Sequence, residues 1–184
     1  MSHVIHCCLD KEADMVQIVY TPISDETIRL LAVGDMIKIT GYIYTGRDAV
    51  LPKIVSLIER DQIKDTKINL QGSVIFHTAV SPAGVGPTSS NKLEIESSIP
   101  ILSKAGVKLH LGKGAISERT VKELQHYNSV YAVMPPVTAL LKNQTNSVEL
   151  IAFPELGMEA FYTLNVFEYP AIIAAAHGKS IYHG

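Results

Sequence analysis

Short stretches of the chain alternate polar and apolar residues, and longer stretches repeat apolar residues at helical spacing. Alternation, together with β-branched and aromatic residues, predicts strands, whereas a repeating apolar stripe predicts helices. The predicted strands cover residues 15–20, 36–44, 73–79, 107–111, 130–133, 148–153, 161–166 and 171–175. The predicted helices cover residues 25–31, 48–60, 90–99, 101–104, 117–126 and 136–142.

Individual residues set the boundaries of these helices. Ser24 and Ser117 each precede a helical stretch, where a hydroxyl can accept from the first unpaired N–H groups. Pro52 is placed in the first turn of its helix, where a missing N–H costs little. Pro100 is expected to interrupt the helix that begins near residue 90.

The order of these elements indicates the fold class. Strands and helices alternate through the middle of the chain, and strands dominate its C-terminal third. The sequence therefore predicts an α/β fold with a mixed sheet, in layers of the β/β/α type. The 184 residues fit a single domain with a substantial core.

Composition excludes some classes of function. Hydrophobic residues make up 47% and charged residues 18%, with a net charge of −2. No basic face suited to nucleic acid is evident. No apolar run approaches the ~20 residues that cross a bilayer, and no signal peptide is recognised. We therefore expect a cytoplasmic protein that binds neither nucleic acid nor membrane.

The N-terminal residues His3, His6, Cys7 and Cys8 resemble a metal site only superficially. Their spacing matches no zinc template, and adjacent cysteines rarely meet disulfide geometry. We expect no metal to be bound by this chain.

Three turns combine glycine with cationic or hydroxyl side chains at the ends of predicted strands. They are residues 44–48 (YTGRD), 84–92 (GVGPTSSNK) and 111–114 (LGKG). In open α/β sheets, ligands collect where strand ends meet helix starts, and a helix start favours anions. Glycine lets the backbone approach a ligand closely. Together these turns predict a site for a small molecule with two acidic groups.

Each turn also has a structural interpretation. Gly-Lys-Gly is a common surface turn, and the Thr-Ser-Ser run can serve as a helix cap. Arg47 can pair with Asp48 instead of a ligand. His77 and His110 are expected to pack or hydrogen-bond rather than to catalyse.

The same turns resemble motifs of a known family. Its motifs are matched in order by residues 41–48 (GYIYTGRD), 86–93 (GPTSSNKL), 112–114 (GKG), 154–160 (PELGMEA) and 167–173 (FEYPAII). The chain resembles the C-terminal domain of class I fumarases and the small subunit of tartrate dehydratase. The resemblance covers about residues 20–182, and we assign residues 20–184 to this domain and residues 1–19 to an N-terminal extension.

The resemblance implies a swivelling domain that closes over a second subunit or domain carrying a 4Fe–4S cluster. It implies reversible hydration of a dicarboxylate (fumarate or malate) by an oligomeric enzyme, with this chain as the β subunit and the cluster on the α subunit. Matching positions make Arg47, Ser89, Lys92 and Lys113 substrate-binding residues. Thr88 matches the catalytic threonine that transfers a proton.

Four positions depart from the family pattern. Lys92 replaces an arginine, Ser89 a threonine, Leu51 a histidine and Ala176 an aspartate. Loss of the planar guanidinium fork at Lys92 is not a neutral exchange. Three hypotheses therefore stay open: a fumarase-type subunit, a subunit acting on tartrate or another hydroxy-diacid, and a non-catalytic dicarboxylate-binding module.

Overall fold

A computed structural model describes residues 16–82, 84–85, 92–135 and 138–182, without the side chains of Lys92 and Thr138. The strands are β1 (Gln17–Tyr20), β2 (Met36–Thr45), β3 (Val74–Phe76), β4 (Val80–Ser81), β5 (Gly84–Val85), β6 (Leu109–Gly112), β7 (Val130–Val133), β8 (Thr145–Ala152), β9 (Phe161–Ala176) and β10 (Lys179–Ser180). The α-helices are α1 (Asp25–Leu30), α2 (Leu51–Glu59), α3 (Lys92–Lys104), α4 (Glu118–His126) and α5 (Thr138–Asn143), and two short 3₁₀ helices cover Ile63–Asp65 and Pro154–Glu159.

Five strands form a closed barrel in the order β2, β3, β6, β7 and β9. The pairs β2–β3, β3–β6 and β6–β7 are parallel, and β9 closes the ring by pairing antiparallel with both β7 and β2. β1 extends the sheet beside β2, while β8 and β10 extend it beside β9. The predicted α/β class with a mixed sheet is confirmed. The swivelling β/β/α description stays a prediction.

Alternate residues of each barrel strand point inward and fill the barrel, because successive side chains of a strand face opposite sides of the sheet. The interior includes Ile43, Phe76, Leu111, Ala132 and Leu164, each no more than 1% exposed. The outward side chains of β3, β6 and β7 are covered by α2, α3 and α4. The barrel is therefore a packed core, and ligand chemistry has to lie at its ends.

Predicted helix signals hold at three positions. Ser24 Oγ accepts from the N–H of Thr27 at 3.1 Å, and Ser117 Oγ accepts from the N–H of Thr120 at 3.3 Å. Pro52 lies in the first turn of α2, as expected from its fixed φ and missing N–H. Every helix in the described part of the chain is too short or too polar to cross a lipid bilayer.

The predicted break at Pro100 is wrong. α3 runs through Pro100 without interruption. The missing N–H and ring clash cost about 3 kcal/mol, but Ile99 and Leu102 are fully buried on either side of the proline. Burial of these two side chains outweighs the local cost and keeps the helix continuous.

The two strands predicted over residues 161–166 and 171–175 form one strand, β9. Glu168 adopts a positive φ of 52°, and the pairing with β2 shifts register between Ile39 and Gly41. The polar residues between the predicted strands therefore mark a β-bulge rather than a turn. A bulge of this kind increases local twist and helps one strand reach two sides of a barrel.

Candidate functional site

The turns after β2 and β6 lie at the same end of the barrel. β2, β3 and β6 are parallel, with Thr45 aligned to Phe76 and Phe76 to Leu111. Arg47 lies two residues after Thr45, and Lys113 lies two residues after Leu111. Strand β3 lies between β2 and β6. Two strand spacings of ~4.8 Å place the two backbones roughly 10 Å apart, a span that side chains of this length can bridge.

Backbone hydrogen bonds connect the end of β3 to the ends of both neighbouring strands. Gly46 N–H donates to the Phe76 carbonyl at 3.1 Å, and His77 N–H donates to the Leu111 carbonyl at 2.8 Å. The chain then leaves the sheet toward the β4–β5 hairpin. Three neighbouring strand ends therefore form one edge, which we call the carboxyl edge (the ends of β2, β3 and β6 with their following turns).

Arg47 is engaged with two carboxylates in this structure. Its Nε donates to Asp48 Oδ1 at 2.6 Å and lies 2.8 Å from Glu159 Oε1, with the Arg47 side chain 18% exposed. The hydrogen bond to Asp48 raises the pKa of Arg47, and the charge of Glu159 contributes further. The predicted pairing with Asp48 is confirmed. An acidic ligand at Arg47 has to compete with both carboxylates.

Glu159 was missed by sequence reasoning. It ends the 3₁₀ helix Pro154–Glu159, which follows β8 and is far from Arg47 in the chain. Residues 154–160 match a motif of the resembled family, but no local pattern indicates their contact with the first turn. Non-local pairing of this kind follows from the closed barrel and cannot be read from spacing.

Gly46 in the first turn and Gly112 in the third turn serve the protein's own packing. A Cβ on Gly46 would lie 2.8 Å from Leu51 Cδ2, and one on Gly112 would lie 2.5 Å from Tyr131 Oη. Both glycines therefore make room for buried side chains, which differs from the expected role of admitting a ligand. Gly114 has a φ of +71° with open space around its Cβ position, so there the backbone conformation itself favours glycine.

The turn that carries Lys113 is held by Tyr131. The Tyr131 hydroxyl donates to the Lys113 carbonyl at 3.2 Å, and Tyr131 is 4% exposed on β7. Burial raises the pKa of Tyr131, so it stays a neutral donor. The Lys113 side chain is exposed. A rigid turn with an outward cation suits a point-charge contact to an anion.

The middle turn is only partly described. Thr88 and Ser89 lie outside the described residues, and Lys92 is described by its backbone alone, as the first residue of α3. The assignments of Thr88, Ser89 and Lys92 stay predictions, as do the ligand-binding roles of Arg47 and Lys113. Cys7 and Cys8 also lie outside the described residues. Within the described ranges, no three His, Cys, Asp or Glu side chains cluster closely enough to hold a metal ion.

A buried histidine pair lies beside the carboxyl edge. His77 Nε2 is 3.2 Å from His110 Nδ1, and His110 Nε2 is 2.9 Å from Ser103 Oγ. The two histidines are 3% and 0% exposed. Burial lowers the pKa of His77 to about 4, and burial with the nearby His77 lowers the pKa of His110. Both are therefore neutral near pH 7, with the hydrogen-bonding role that the sequence suggested.

Two departures from the family pattern lie in apolar surroundings. Leu51 is fully buried in the cluster beneath α2, and Ala176 is 2% exposed among the barrel residues. Neither position offers a polar group to a ligand.

Comparison with known proteins identifies the family. The family model described as Fumarase C-terminus matches residues 4–184. A candidate class I fumarate hydratase of Geobacillus stearothermophilus is 29% identical over 174 residues, which cover 88% of this chain and 32% of that protein. The chain thus spans about a third of the length of that relative.

Two further relatives are subunits of similar length. The L(+)-tartrate dehydratase subunit beta of Escherichia coli K12 is 28% identical over 180 residues, covering 91% of this chain and 87% of the subunit. A candidate L(+)-tartrate dehydratase subunit beta of Methanocaldococcus jannaschii is 29% identical over 178 residues, covering 89% of each chain. By the match over nearly its whole length, the chain belongs to the fumarase C-terminus family.

Proposed function

We propose that this chain is the β subunit of a class I hydro-lyase that binds a four-carbon dicarboxylate at the carboxyl edge. The observation that carries the proposal is the family match over residues 4–184, combined with the convergence of the Arg47 and Lys113 turns at one barrel end. The relatives are hydro-lyases that add or remove water. Fumarate and malate, or tartrate, are the proposed substrates.

The proposed chemistry uses cations at the carboxyl edge. Removing a proton beside a carboxylate builds negative charge on that carboxylate. Arg47, Lys92 and Lys113 would stabilise this charge more in the transition state than in the ground state, which is the condition for faster chemistry. Thr88 would move the proton with help from a carboxylate of the partner, because a threonine hydroxyl alone is a weak base. Ser89 would donate to the substrate.

The proposed partner is an α subunit that carries a 4Fe–4S cluster. When bound there, the cluster would supply a Lewis-acid iron for the hydroxyl that leaves. Support comes from the resemblance of the motifs and from relatives named as subunit beta, which implies an enzyme of more than one subunit. We also propose an oligomeric assembly located in the cytoplasm.

The contacts of Arg47 make the proposed binding an exchange reaction. The guanidinium now faces Asp48 and Glu159, and a substrate carboxylate would replace at least part of one of these contacts. The Glu159 side chain is 35% exposed, so water can solvate this carboxylate once it is displaced. We infer that Glu159 keeps Arg47 oriented before the substrate binds.

The test is anaerobic reconstitution with the cluster-bearing subunit, following fumarate by absorbance and L(+)-tartrate by product formation. Arg47→Ala is expected to lower kcat/KM, raising the corresponding activation free energy by ~2–5 kcal/mol, the effect of losing a desolvated charge contact. Arg119→Ala, which removes an exposed arginine from α4, is the matched control and should have no effect. Unchanged turnover in Arg47→Ala would refute the assignment of the site.

A second function is a non-catalytic module that binds dicarboxylates. The apolar burial of Leu51 and Ala176 favours it, because neither side chain offers a polar group for catalysis. Calorimetry of the isolated chain with L(+)-tartrate and L-malate separates the two hypotheses. Tight binding without a partner, and no turnover with one, would support the module.

A further inference from the structure

A buried chain of three polar side chains runs from α3 to the end of β3. It consists of Ser103, His110 and His77, linked by contacts of 2.9 and 3.2 Å. The two imidazole planes are inclined by only 10°, which suits an in-plane N–H···N bond between the rings. Among the described residues, Nδ1 of His77 is buried and has no hydrogen-bond partner. The chain thus ends on an unpaired nitrogen.

The proton positions in this chain follow from counting donors and acceptors. Ser103 Oγ has no hydrogen-bond partner other than His110 among the described residues. If the Ser103 hydroxyl donates to His110 Nε2, then His110 Nδ1–H donates to His77 Nε2, and His77 carries its proton on Nδ1. One buried group is then unpaired, namely the Nδ1–H of His77.

The opposite direction leaves more groups unpaired. If His77 Nε2–H donates to His110, then His110 Nε2–H donates to Ser103, and the Ser103 hydroxyl proton has no acceptor. His77 Nδ1 would be a second unpaired group. Each buried unpaired polar group costs about 1–3 kcal/mol. The first arrangement is therefore favoured, and it makes His77 Nδ1–H an N–H donor.

The position of His77 relates this donor to the carboxyl edge. His110 is aligned with Ile75, and His77 follows Ile75 by two residues toward the strand end. The backbone of His77 is bonded to Leu111, while the preceding Phe76 accepts from Gly46. His77 therefore lies between the turn of Arg47 and the turn of Lys113, at the end of the hydrogen-bonded chain nearest to both.

We propose that His77 is a substrate-binding residue whose Nδ1–H donates a hydrogen bond to a carboxylate oxygen of the dicarboxylate held at the carboxyl edge. This inference rests on the proposed function and adds a neutral donor to its cations. Burial keeps the imidazole uncharged, and a neutral donor in dry surroundings bonds an anion strongly without requiring a counter-charge. Ser103 and His110 are positioning residues, because they fix the tautomer.

A pair of variants separates this role from a structural one. Asn carries its amide nitrogen near the place of imidazole Nδ1, whereas Gln reaches the place of Nε2. In the reconstituted enzyme, His77→Gln, which keeps the link to His110, is expected to raise KM for the dicarboxylate by about 10-fold or more. His77→Asn is expected to stay within about 3-fold of wild type. Equal effects, or a larger effect of His77→Asn, would overturn the proposal.

Nuclear magnetic resonance tests the tautomer without the partner. Long-range ¹H–¹⁵N spectra of the wild-type chain near neutral pH should show His77 and His110 both protonated on Nδ1. A proton on Nε2 of His77 would overturn the assignment. If the wild-type chain reconstituted with the cluster-bearing subunit showed no hydro-lyase activity, the proposed function would be refuted, independently of the role of His77. The Nδ1 resonance would then decide the role of the donor: a shift on adding L(+)-tartrate would support it, and no shift would overturn it.

Discussion

Replacing Glu159 by Gln tests whether Arg47 exchanges an internal carboxylate for a ligand. Glu159→Gln keeps the size and shape of the side chain and removes the charge that lies 2.8 Å from Arg47 Nε. The bond from Arg47 to Asp48 at 2.6 Å remains, so the guanidinium keeps one partner and its place in the turn. The change therefore acts on one competing interaction.

The magnitude follows from the exposure of the pair. The Arg47 and Glu159 side chains are 18% and 35% exposed, so solvent screens the attraction and the ion pair is worth about 0.5–1 kcal/mol. Glu159→Gln should lower the free energy of unfolding by that amount. A ligand carboxylate that displaces Glu159 has to overcome the same energy. The variant should therefore bind the dicarboxylate up to about 5-fold more tightly.

The assay is calorimetry with L(+)-tartrate, or KM in the reconstituted enzyme, together with urea denaturation. Glu155→Gln is the matched control. It removes the same charge from the same 3₁₀ helix, but Glu155 is 59% exposed and lies 3.8 Å from Lys53. The control should leave ligand affinity unchanged. Weaker binding in Glu159→Gln, or equal gains in both variants, would contradict the exchange of carboxylates at Arg47.

Three further predictions concern stability. Burial lowers the pKa of His77 to about 4, so the folded chain keeps this imidazole neutral while the unfolded chain protonates it near its ordinary value of ~6.5. This group therefore leaves the free energy of unfolding unchanged above about pH 6.5 and lowers it as the pH falls toward 4, by up to ~1.4 kcal/mol per pH unit. Urea denaturation at several pH values measures this dependence. The free energy of unfolding of His77→Gln should depend less steeply on pH. Gly112→Ala would place a Cβ 2.5 Å from Tyr131 Oη, so the free energy of unfolding should fall by about 1–3 kcal/mol, and a smaller loss in the background of Tyr131→Phe would confirm the clash. Pro100→Ala restores a helical N–H inside α3 and should raise the free energy of unfolding by about 1–3 kcal/mol, seen as a higher melting temperature. A lower melting temperature would mean that packing around the proline requires its shape.

Local features of the fold were accessible from sequence because their causes are local. β7 was predicted with the bounds Val130–Val133 that the structure has, since four apolar residues there follow a polar boundary. The cap of α4 by Ser117 depends only on residues one turn away. Strand β2 was predicted over residues 36–44 and extends one residue further. These elements need no knowledge of distant partners.

Features that depend on distant partners were not accessible. The pairing of β2 with β9 closes the barrel, and nothing in either segment alone specifies that partner. The same is true of Glu159 beside Arg47 and of the histidine pair, whose members come from β6 and from the end of β3. Pro100 shows the complementary case, where buried neighbours override a local preference.

Closure by β9 has a consequence for the order of folding. β3, β6 and β7 can associate through connections of moderate length, but β9 has to find β2 across most of the chain. The loop-closure entropy of that step makes it slow and late. Until it happens, β2 and β7 present open edges, which is the condition that favours aggregation with another copy. A truncated chain that lacks β9 would remain in that vulnerable state.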